Sequence, residues 1–415
     1  MNSPDRIAPG NAKCNVCGGE AREFLNLGRQ PLSDNFLTAQ ELSSEFFYNL
    51  RAVFCGSCSL AQLAETPPRE RMFNNDYPYY SSGSSVMREH FQQTAFEFLE
   101  TELAGRDPFI IEIGCNDGVM LKTICDAGVR HLGFEPSGKV ASAAREKGIR
   151  VRGDFFEEAT AAETREMEGA ADVIFSANTI CHIPYIESII KGVDSLLAPG
   201  GIFVFEDPYL GDIISKTSFD QIYDEHTFLF SGRSVQAIAD RFGFALVDVR
   251  RLSVHGGEIR YTLARKGERE PVAAVAALIA EEDRRSLTEE ETLRQFAARV
   301  NGIRDDLIAL LRRLRSEGRT VVGYGATAKS STVTNFCGIG SDLVSYVCDT
   351  TPAKQNRLTP GMHLQVRPGE DFSDPYPDYA LLFAWNHADE IMAKEEQFRL
   401  AGGRWITYVP KVQVI

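Results

Sequence analysis

The sequence lacks any apolar run that approaches the ~18 residues needed to cross a membrane as a helix. It also lacks an excess of positive charge, because 44 Lys and Arg face 58 Asp and Glu and leave a formal net charge of −14. An acidic surface repels phosphate groups and anionic lipid headgroups, so we expect neither nucleic acid nor a membrane as a partner. The polar start of the chain lacks the basic segment followed by an apolar segment that a signal peptide has, and we therefore expect a cytoplasmic protein.

Cysteine is also scarce, at nine residues in a chain of 415. This odd, low count argues against a secreted disulfide framework and for reduced thiols, some of which bind metal. No internal repeat or low-complexity tract occurs. A chain of this length predicts two or three compact units.

The pattern along the chain divides it into three parts. Residues 1–82 mix turns with short strand-like stretches, and residues 83–267 alternate apolar runs with amphipathic helical stretches, which is typical of βαβ units. We predict seven strands there, at FIIEI, HLGFE, RVRGD, DVIFSA, IFVFED, ALVDV and IRYTLA. The last two are too close for an intervening helix and should form an antiparallel hairpin at the sheet edge. In residues 268–415, two long helices precede a smaller α/β unit with strands VVGYG, LVSYVCD, YALLFA and WITYV.

Four cysteines are paired by their spacing. Cys14 and Cys17 form one CxxC knuckle, Cys55 and Cys58 form another, and 37 residues separate the two. Four thiolates complete a tetrahedral zinc site and leave no open position for a substrate, so we predict a structural zinc. The intervening loop is long, which suggests that it has a functional role, and its most distinctive stretch is Gln30–Phe36 (QPLSDNF).

The turn after the strand FIIEI has the composition of a cofactor-binding loop. Its glycines are spaced GxxxG rather than GxGxxG, and acidic side chains beside it would repel a diphosphate but suit the positive charges of S-adenosylmethionine. Acidic residues at the ends of the next two strands could accept hydrogen bonds from ribose and adenine; the alternative is that they are surface loop acids. The predicted cofactor residues are Glu112, Gly114, Asn116, Asp117, Gly118, Glu135, Asp154, Phe155 and Asn178.

Titratable side chains cluster after two other strands. Tyr223, Glu225 and His226 lie within four residues, and His182 follows the fourth strand. An imidazole titrates near neutral pH and can take a proton from carbon or oxygen, so His226 is the leading candidate base. Upstream, a tyrosine-rich stretch around Tyr77 leads to Ser84 and Ser85. Its aromatic residues could equally have a structural role and pack at an interface between domains.

A second glycine-rich turn, Gly323–Lys329, follows the strand-like residues TVV and fits the GxGxxA form of a phosphate-binding turn. Lys329 and the serines after it add donors at a helix N-terminus, which suits the diphosphate of a nucleotide sugar or of NAD. The residues predicted to bind a nucleotide sugar are Ser84, Ser85, Gly325, Lys329, Ser331, Asn335, Asn386 and His387.

With these motifs in view, the chain resembles the sugar C-3′-methyltransferases of deoxysugar pathways in actinomycetes, nearest to those of the nitrosugars tetronitrose and kijanose. The resemblance rests on the two CxxC pairs, EIGCNDG, GFEPS, FEDPYLGDI, YDEH and GYGATAKS. It implies an N-terminal zinc-binding module, a Rossmann-like class I methyltransferase domain that binds S-adenosylmethionine, and a smaller Rossmann-like α/β domain that holds a dTDP-sugar. Carried over by motif, the catalytic residues are Tyr77, His182, Tyr223, Glu225 and His226.

The implied reaction is deprotonation at C-3′ of a dTDP-4-keto-deoxyhexose, with a hydroxyl or an amino group at that carbon, followed by attack of the enolate on the methyl group. Two alternatives stay open: an NAD-dependent nucleotide-sugar oxidoreductase or epimerase, and a non-catalytic zinc-ribbon interaction protein. We expect the protein to act as a monomer.

Overall fold

The N-terminal part of the chain folds around an antiparallel sheet. The computed structural model describes residues 12–74 and 79–415. The first of these ranges contains β1 (Ala12–Lys13), β2 (Glu20–Pro31), β3 (Phe47–Cys55), β4 (Leu60–Leu63) and the short helix α1 (Arg69–Met72). Strands β2 and β3 form a long hairpin, and β4 pairs with β3. Apolar residues of β2 and β3 are buried in the core that surrounds the cysteines.

The middle part contains a seven-stranded sheet flanked by helices. Its helices are α2 (Ser85–Glu100), α3 (Val119–Asp126), α4 (Gly138–Glu146), α5 (Glu158–Glu168), α6 (Ile186–Leu196), α7 (Leu210–Lys216) and α8 (Gly232–Arg241). Its strands are β5 (Phe109–Ile113), β6 (Arg130–Phe134), β7 (Val151–Arg152), β8 (Ala171–Ala177), β9 (Leu197–Pro208), β11 (Phe244–Leu252) and β12 (Glu258–Arg265). The short β10 (Phe228–Leu229) belongs elsewhere, as described below.

The order of this sheet, β11-β12-β9-β8-β5-β6-β7, places β5 at its interior. All five residues of β5 are buried, as expected for a strand covered on both faces. The seven predicted strands are confirmed, and so is the antiparallel hairpin of β11 and β12 at one edge. The carboxyl ends of the parallel strands β5, β6 and β8 lie along one edge, where open α/β sheets bind their ligands.

The C-terminal part begins with two long helices, as predicted, α9 (Ala273–Arg284) and α10 (Glu290–Ser316). Buried residues recur every three or four positions along α10, from Leu293 to Leu314, and give it one apolar face. The remaining elements are β13 (Val321–Tyr324), α11 (Ala328–Cys337), β14 (Val347–Asp349), β15 (Val366–Pro368), β16 (Tyr379–Leu382), α12 (Ala388–Lys394), α13 (Glu396–Leu400), β17 (Arg404–Thr407) and β18 (Gln413–Val414). They form a sheet of order β15-β14-β13-β16-β17-β18, in which the short edge strands β15 and β18 were not predicted.

The three parts are connected by contacts that the sequence pattern does not reveal. Strand β10, from the middle of the chain, adds to β4 as the fifth strand of the N-terminal sheet. The loop between β2 and β3 reaches the C-terminal part, where Leu37 and Leu358 exchange backbone hydrogen bonds. None of the helices in the described ranges combines the length and the apolar character that crossing a bilayer requires.

Candidate active site

The four paired cysteines come together at the start of the N-terminal sheet. Their sulfur atoms all lie within 4.8 Å of one another, with 3.5 Å between Cys14 and Cys58 and 3.4 Å between Cys17 and Cys55. The backbone of the first knuckle closes on itself, because Cys14 N donates to Gly19 O and Gly18 N donates to Cys14 O. Four converging thiols with little solvent access match the donor set of structural zinc, and the predicted zinc site is confirmed.

The turn after β5 is packed closely against Thr179 and contains residues with positive φ. Gly114 has a φ of +71°, and a Cβ atom there would lie 2.2 Å from Thr179 Oγ1, so no side chain fits. Asn116 also has a positive φ, of +49°, which Asn tolerates better than most residues. Its side-chain oxygen accepts from Ser81 N, and its side-chain nitrogen donates to Tyr79 O. Asn116 therefore attaches the segment that precedes α2 to the turn after β5.

A cavity of about 340 Å³ opens beside this turn and is lined by residues from all three parts of the chain. Six of the predicted cofactor residues line it: Gly114, Asn116, Glu135, Asp154, Phe155 and Asn178. Glu135 is held in place because its two carboxylate oxygens accept from Asn116 N and Ser137 N. A carboxylate has about four acceptor positions, so two remain for the two hydroxyls of a ribose. This wall fits an adenosyl ligand.

Three predicted cofactor residues lie behind this wall rather than on it. Glu112 is buried in β5, and burial raises its pKa well above the ordinary value. Asp117 is paired with Lys147 Nζ at 2.7 Å and accepts from Ser82 N. Gly118 has a φ of +77° and faces Ile149, where a Cβ atom would clash. These residues shape the turn that the cavity borders.

His226 lies in the cavity wall with both ring nitrogens engaged. Its Nδ1 is 2.6 Å from the backbone oxygen of Gln221, which can only accept, so Nδ1 carries the proton. Its Nε2 then has a lone pair and accepts from the Tyr223 hydroxyl at 2.8 Å. The sequence places both partners on one irregular stretch, so the imidazole of His226 is oriented by its own loop. Glu225 lines the same cavity.

His182 stacks on His226, with ring centroids 5.3 Å apart, and also on Phe73, with ring centroids 5.6 Å apart. Among the described residues, none is a hydrogen-bond partner of the buried His182 Nε2, and a ligand atom could fill that role. The ligand atoms of Cys181, His182 and His226 come within 4.8 Å of one another. Because both nitrogens of His226 already have partners, this group is not a preformed metal site.

Burial sets the protonation states in this wall. It lowers the pKa of His182 to about 3 and lowers the pKa of His226 well below 6.5, with a further contribution from His182 and from Lys329. The pKa of Tyr223 is raised well above 10 by burial and by neighbouring acids. Near neutral pH, the two imidazoles are therefore neutral and the phenol keeps its proton.

A second wall of the cavity comes from the hairpin turn after β11 and from the C-terminal part. Lys329 Nζ donates to the side-chain oxygen of Asn386 at 3.2 Å and lies 4.8 Å above the Trp385 ring. His255 and His387 also line this wall. Burial lowers the pKa of Lys329, while Asp220 and Glu258 act in the opposite direction. The wall thus presents nitrogen donors in an otherwise acidic protein.

Of the residues predicted to bind the nucleotide sugar, Ser84, Lys329, Asn386 and His387 line the cavity. The other four do not. Ser85 is exposed on α2, and Gly325 faces Ala384. The Ser331 hydroxyl donates to Ser33 O, and the Asn335 amide donates to Ser331 O and Pro360 O. These two side chains are occupied in holding loops together, which explains their distance from the cavity. Tyr77 lies outside the described residues.

Several lining residues have no counterpart in the predicted set, among them Asp34, Arg69, Phe73, His255 and Lys354. His255 has a φ of +50°, a conformation that a side chain with a Cβ adopts at a cost. The adjacent glycine pair in the sequence signals a turn but not its position over the cavity. Asp34 lies in the stretch Gln30–Phe36, for which the sequence suggests a functional role, and it forms a salt bridge of 3.3 Å with Lys354.

Three family models match successive parts of the chain. Residues 14–73 match a zinc binding domain, residues 87–249 a methyltransferase domain, and residues 253–410 a C-methyltransferase C-terminal domain. The chain is 32% identical over 406 residues to C-methyltransferase NovU of Streptomyces niveus, with 97% of this chain and 96% of NovU covered. A ubiquinone biosynthesis O-methyltransferase of Escherichia coli is 26% identical over 100 residues, covering 23% of this chain and 41% of that protein.

Among solved structures, magnesium protoporphyrin IX methyltransferase of Synechocystis is 16% identical and covers 44% of this chain and 82% of that one, at a TM-score of 0.32. A methyltransferase of Anabaena variabilis is 17% identical, with 42% and 84% covered and a TM-score of 0.34. TM-scores this low do not establish a shared overall fold.

Proposed function

Since the chain belongs to the family of S-adenosylmethionine-dependent C-methyltransferases, we propose that it methylates C-3′ of a dTDP-linked 4-keto-deoxyhexose. The observation that carries this proposal is one cavity with two unlike walls and a neutral histidine base. The wall with Glu135 suits an adenosyl group, and the wall with Lys329 suits a diphosphate.

The proposed base is Nε2 of His226. Its proton is on Nδ1, held there by the Gln221 carbonyl, so the lone pair is on Nε2, where it accepts from the Tyr223 hydroxyl, and His226 lines the cavity. The 4′-ketone acidifies the C-3′ proton, which moves to Nε2 as the C–H electron pair becomes an enolate. Bound S-adenosylmethionine supplies the methyl group that C-3′ gains, and its sulfonium becomes a neutral sulfide as the S–CH₃ bond breaks.

Tyr223 is the proposed donor to the developing enolate oxygen. Its hydroxyl is protonated and already points into the site at His226 Nε2, so a small rotation would transfer its hydrogen bond to a ketone oxygen. His182, whose Nε2 has no partner in the part of the chain that the structure describes, would bind a further oxygen of the sugar. Preorganised donors of this kind stabilise an oxyanion without reorganising at the moment of reaction. Tyr77 and Glu225 complete the proposed set.

For the diphosphate we propose Lys329, with His255, Asn386 and His387 as neighbouring donors. Lys329 contributes an amine to this wall, and its nitrogen donates to the side-chain oxygen of Asn386. We also propose that the active unit is a single chain, because the cavity wall is built from residues of all three parts of one chain.

The deciding experiment is turnover with a panel of dTDP-4-keto-deoxyhexoses that differ only at C-3′, carrying either a hydroxyl or an amino group. We expect one class to yield a C-3′-methylated product and S-adenosylhomocysteine in equal amounts. Thermal unfolding should shift upward with S-adenosylhomocysteine and dTDP together. Stabilisation by NAD alone, with no methylated sugar, would instead support an oxidoreductase, and the absence of any ligand shift would support an interaction module.

A further inference from the structure

The backbone next to His226 is part of the zinc-bearing sheet. Strand β10 follows His226 by two residues and pairs antiparallel with β4, with Phe228 opposite Gln62. Just before it, Thr227 O accepts a hydrogen bond of 2.8 Å from Leu63 N. Thr227 is fully buried, so this pairing is shielded from water. The position of the proposed base therefore depends on the position of β4.

Strand β4 is in turn fixed to both cysteine knuckles. It begins two residues after Cys58. From within β4, the Gln62 side chain reaches the other knuckle: its Oε1 accepts from Asn15 N at 2.9 Å, and its Nε2 donates to Lys13 O at 3.2 Å. Gln62 is 1% exposed. The side chain of Gln62 thus binds the first knuckle, and its backbone lies in the strand that pairs with β10, directly after His226.

A second contact supports the same segment from the loop between the knuckles. Ser33 N donates to Asp224 Oδ1 at 3.1 Å, two residues before His226. The N-terminal part therefore touches the chain on both sides of the base, at Asp224 and at Thr227. The contact at Thr227 comes from β4, which the knuckles anchor, and the contact at Asp224 comes from the loop between β2 and β3.

We propose that Gln62 is a positioning residue, which couples the geometry of the zinc-binding knuckles to the placement of His226. The N-terminal part then sets the rate of the reaction as well as stabilising the fold. This inference rests on the proposed role of His226 as the base. It follows because small displacements of a catalytic group are costly: a shift of about 1 Å can lower a rate ~10²-fold.

The test is Gln62→Met, which keeps the length and burial of the side chain but removes both hydrogen bonds to the knuckle. We expect kcat to fall about 10-fold or more, within the range that misplacement allows. The KM values for S-adenosylmethionine and for the sugar should change little, and the protein should retain one equivalent of zinc. Gln62→Glu keeps an acceptor for Asn15 N but not the donor to Lys13 O, and we expect an intermediate kcat.

The matched control is Leu25→Ala, a truncation of a buried residue of β2 in the same sheet. It should lower the unfolding temperature at least as much as Gln62→Met while leaving kcat close to that of the wild type. Hydrogen exchange at the Leu63 amide reports the β4 contact without any substrate, and it should accelerate in Gln62→Met only.

An unchanged kcat in zinc-replete Gln62→Met overturns the proposal, as does an equal loss of kcat in Leu25→Ala. If Gln62→Met does not fold, the same two comparisons are made with Gln62→Glu. If the wild type methylates no 4-keto sugar, the proposed function fails, and hydrogen exchange at Leu63 then tests the coupling on its own. Unchanged exchange in Gln62→Met would overturn the coupling between the knuckles and the segment at His226. Faster exchange in Gln62→Met only would support that coupling.

Discussion

At the scale of single residues, the reactivity of His226 is set by one backbone carbonyl. Because Gln221 O accepts the proton of Nδ1, the neutral imidazole has its lone pair on Nε2. An imidazole with the opposite tautomer would present an N–H to the cavity and could not act as a base. The tautomer is thus a consequence of the loop conformation at residues 221–226.

His226→Asn tests this role directly. The Asn amide can still donate to the Gln221 carbonyl but has no nitrogen at the position of Nε2. Loss of a general base commonly lowers a rate ~10² to 10⁴-fold, and we expect kcat to fall in that range. Zinc content and affinity for S-adenosylhomocysteine should be unchanged. Near-native turnover in this variant would remove His226 from the mechanism.

The pH dependence of kcat follows from the same environment. Burial, His182 and Lys329 all lower the pKa of His226, so its base form persists as the pH falls through the ordinary value of 6.5. We expect kcat to stay flat between pH 8 and about pH 6 and to fall only in more acidic solution. Rates measured with both substrates saturating check this. A decline centred near pH 6.5 would mean that the base is solvated or is another group.

At the scale of elements, the turn between β5 and α3 depends on Gly114. In Gly114→Ala the new Cβ would lie 2.2 Å from Thr179 Oγ1, in addition to the strain of a positive φ. Gly128→Ala is a matched control, because Gly128 has a φ of +75° and no atom within 4 Å of an added Cβ. We expect calorimetry to find S-adenosylhomocysteine binding at least 10-fold weaker in Gly114→Ala, equivalent to ~1.4 kcal/mol. Equal affinities in the two variants would show that the close approach to Thr179 is unimportant.

The zinc site makes a prediction for the N-terminal sheet. Zinc-thiolate bonds connect the two ends of an element with a small core, so metal binding contributes directly to folding. Removing zinc with a strong chelator should unfold β1–β4 and release β10, with loss of β signal in circular dichroism and of activity. Purified protein should contain one zinc per chain. A zinc content below half an equivalent would contradict the site.

The sequence was informative where a pattern repeats locally. The continuous apolar run of β5, the short connection between β11 and β12 and the CxxC knuckles each specify their structure within a few residues. Long-range pairings have no such signal. Nothing local distinguishes Phe228–Leu229 as a strand of the N-terminal sheet, and nothing in Ser331 shows that its hydroxyl binds Ser33 O rather than a ligand. The cavity walls contributed by Asp34 and His255 depend on the same kind of distant contact.

At the scale of the whole molecule, the net charge of −14 opposes binding of the proposed substrate, which is an anion. The long-range field of the protein repels a nucleotide diphosphate, whereas the attraction of Lys329 acts only inside the cavity. Salt screens the two effects unequally. Exposed charges further apart than a Debye length of about 10 Å are screened at 0.1 M salt, and buried pairs are screened much less. Raising the salt concentration should therefore remove more repulsion than attraction.

The two proposed substrates make this prediction internally controlled, because their charges are opposite in sign. S-adenosylmethionine carries a net positive charge, so the same field attracts it. Between 20 and 200 mM NaCl, we expect kcat/KM for the dTDP-sugar to rise by about 2- to 5-fold and kcat/KM for S-adenosylmethionine to fall, since steering by a whole-protein field weakens as ionic strength rises. Initial rates at a limiting concentration of each substrate in turn measure both slopes. If the two constants moved in the same direction, local contacts rather than the net charge would govern access to the cavity.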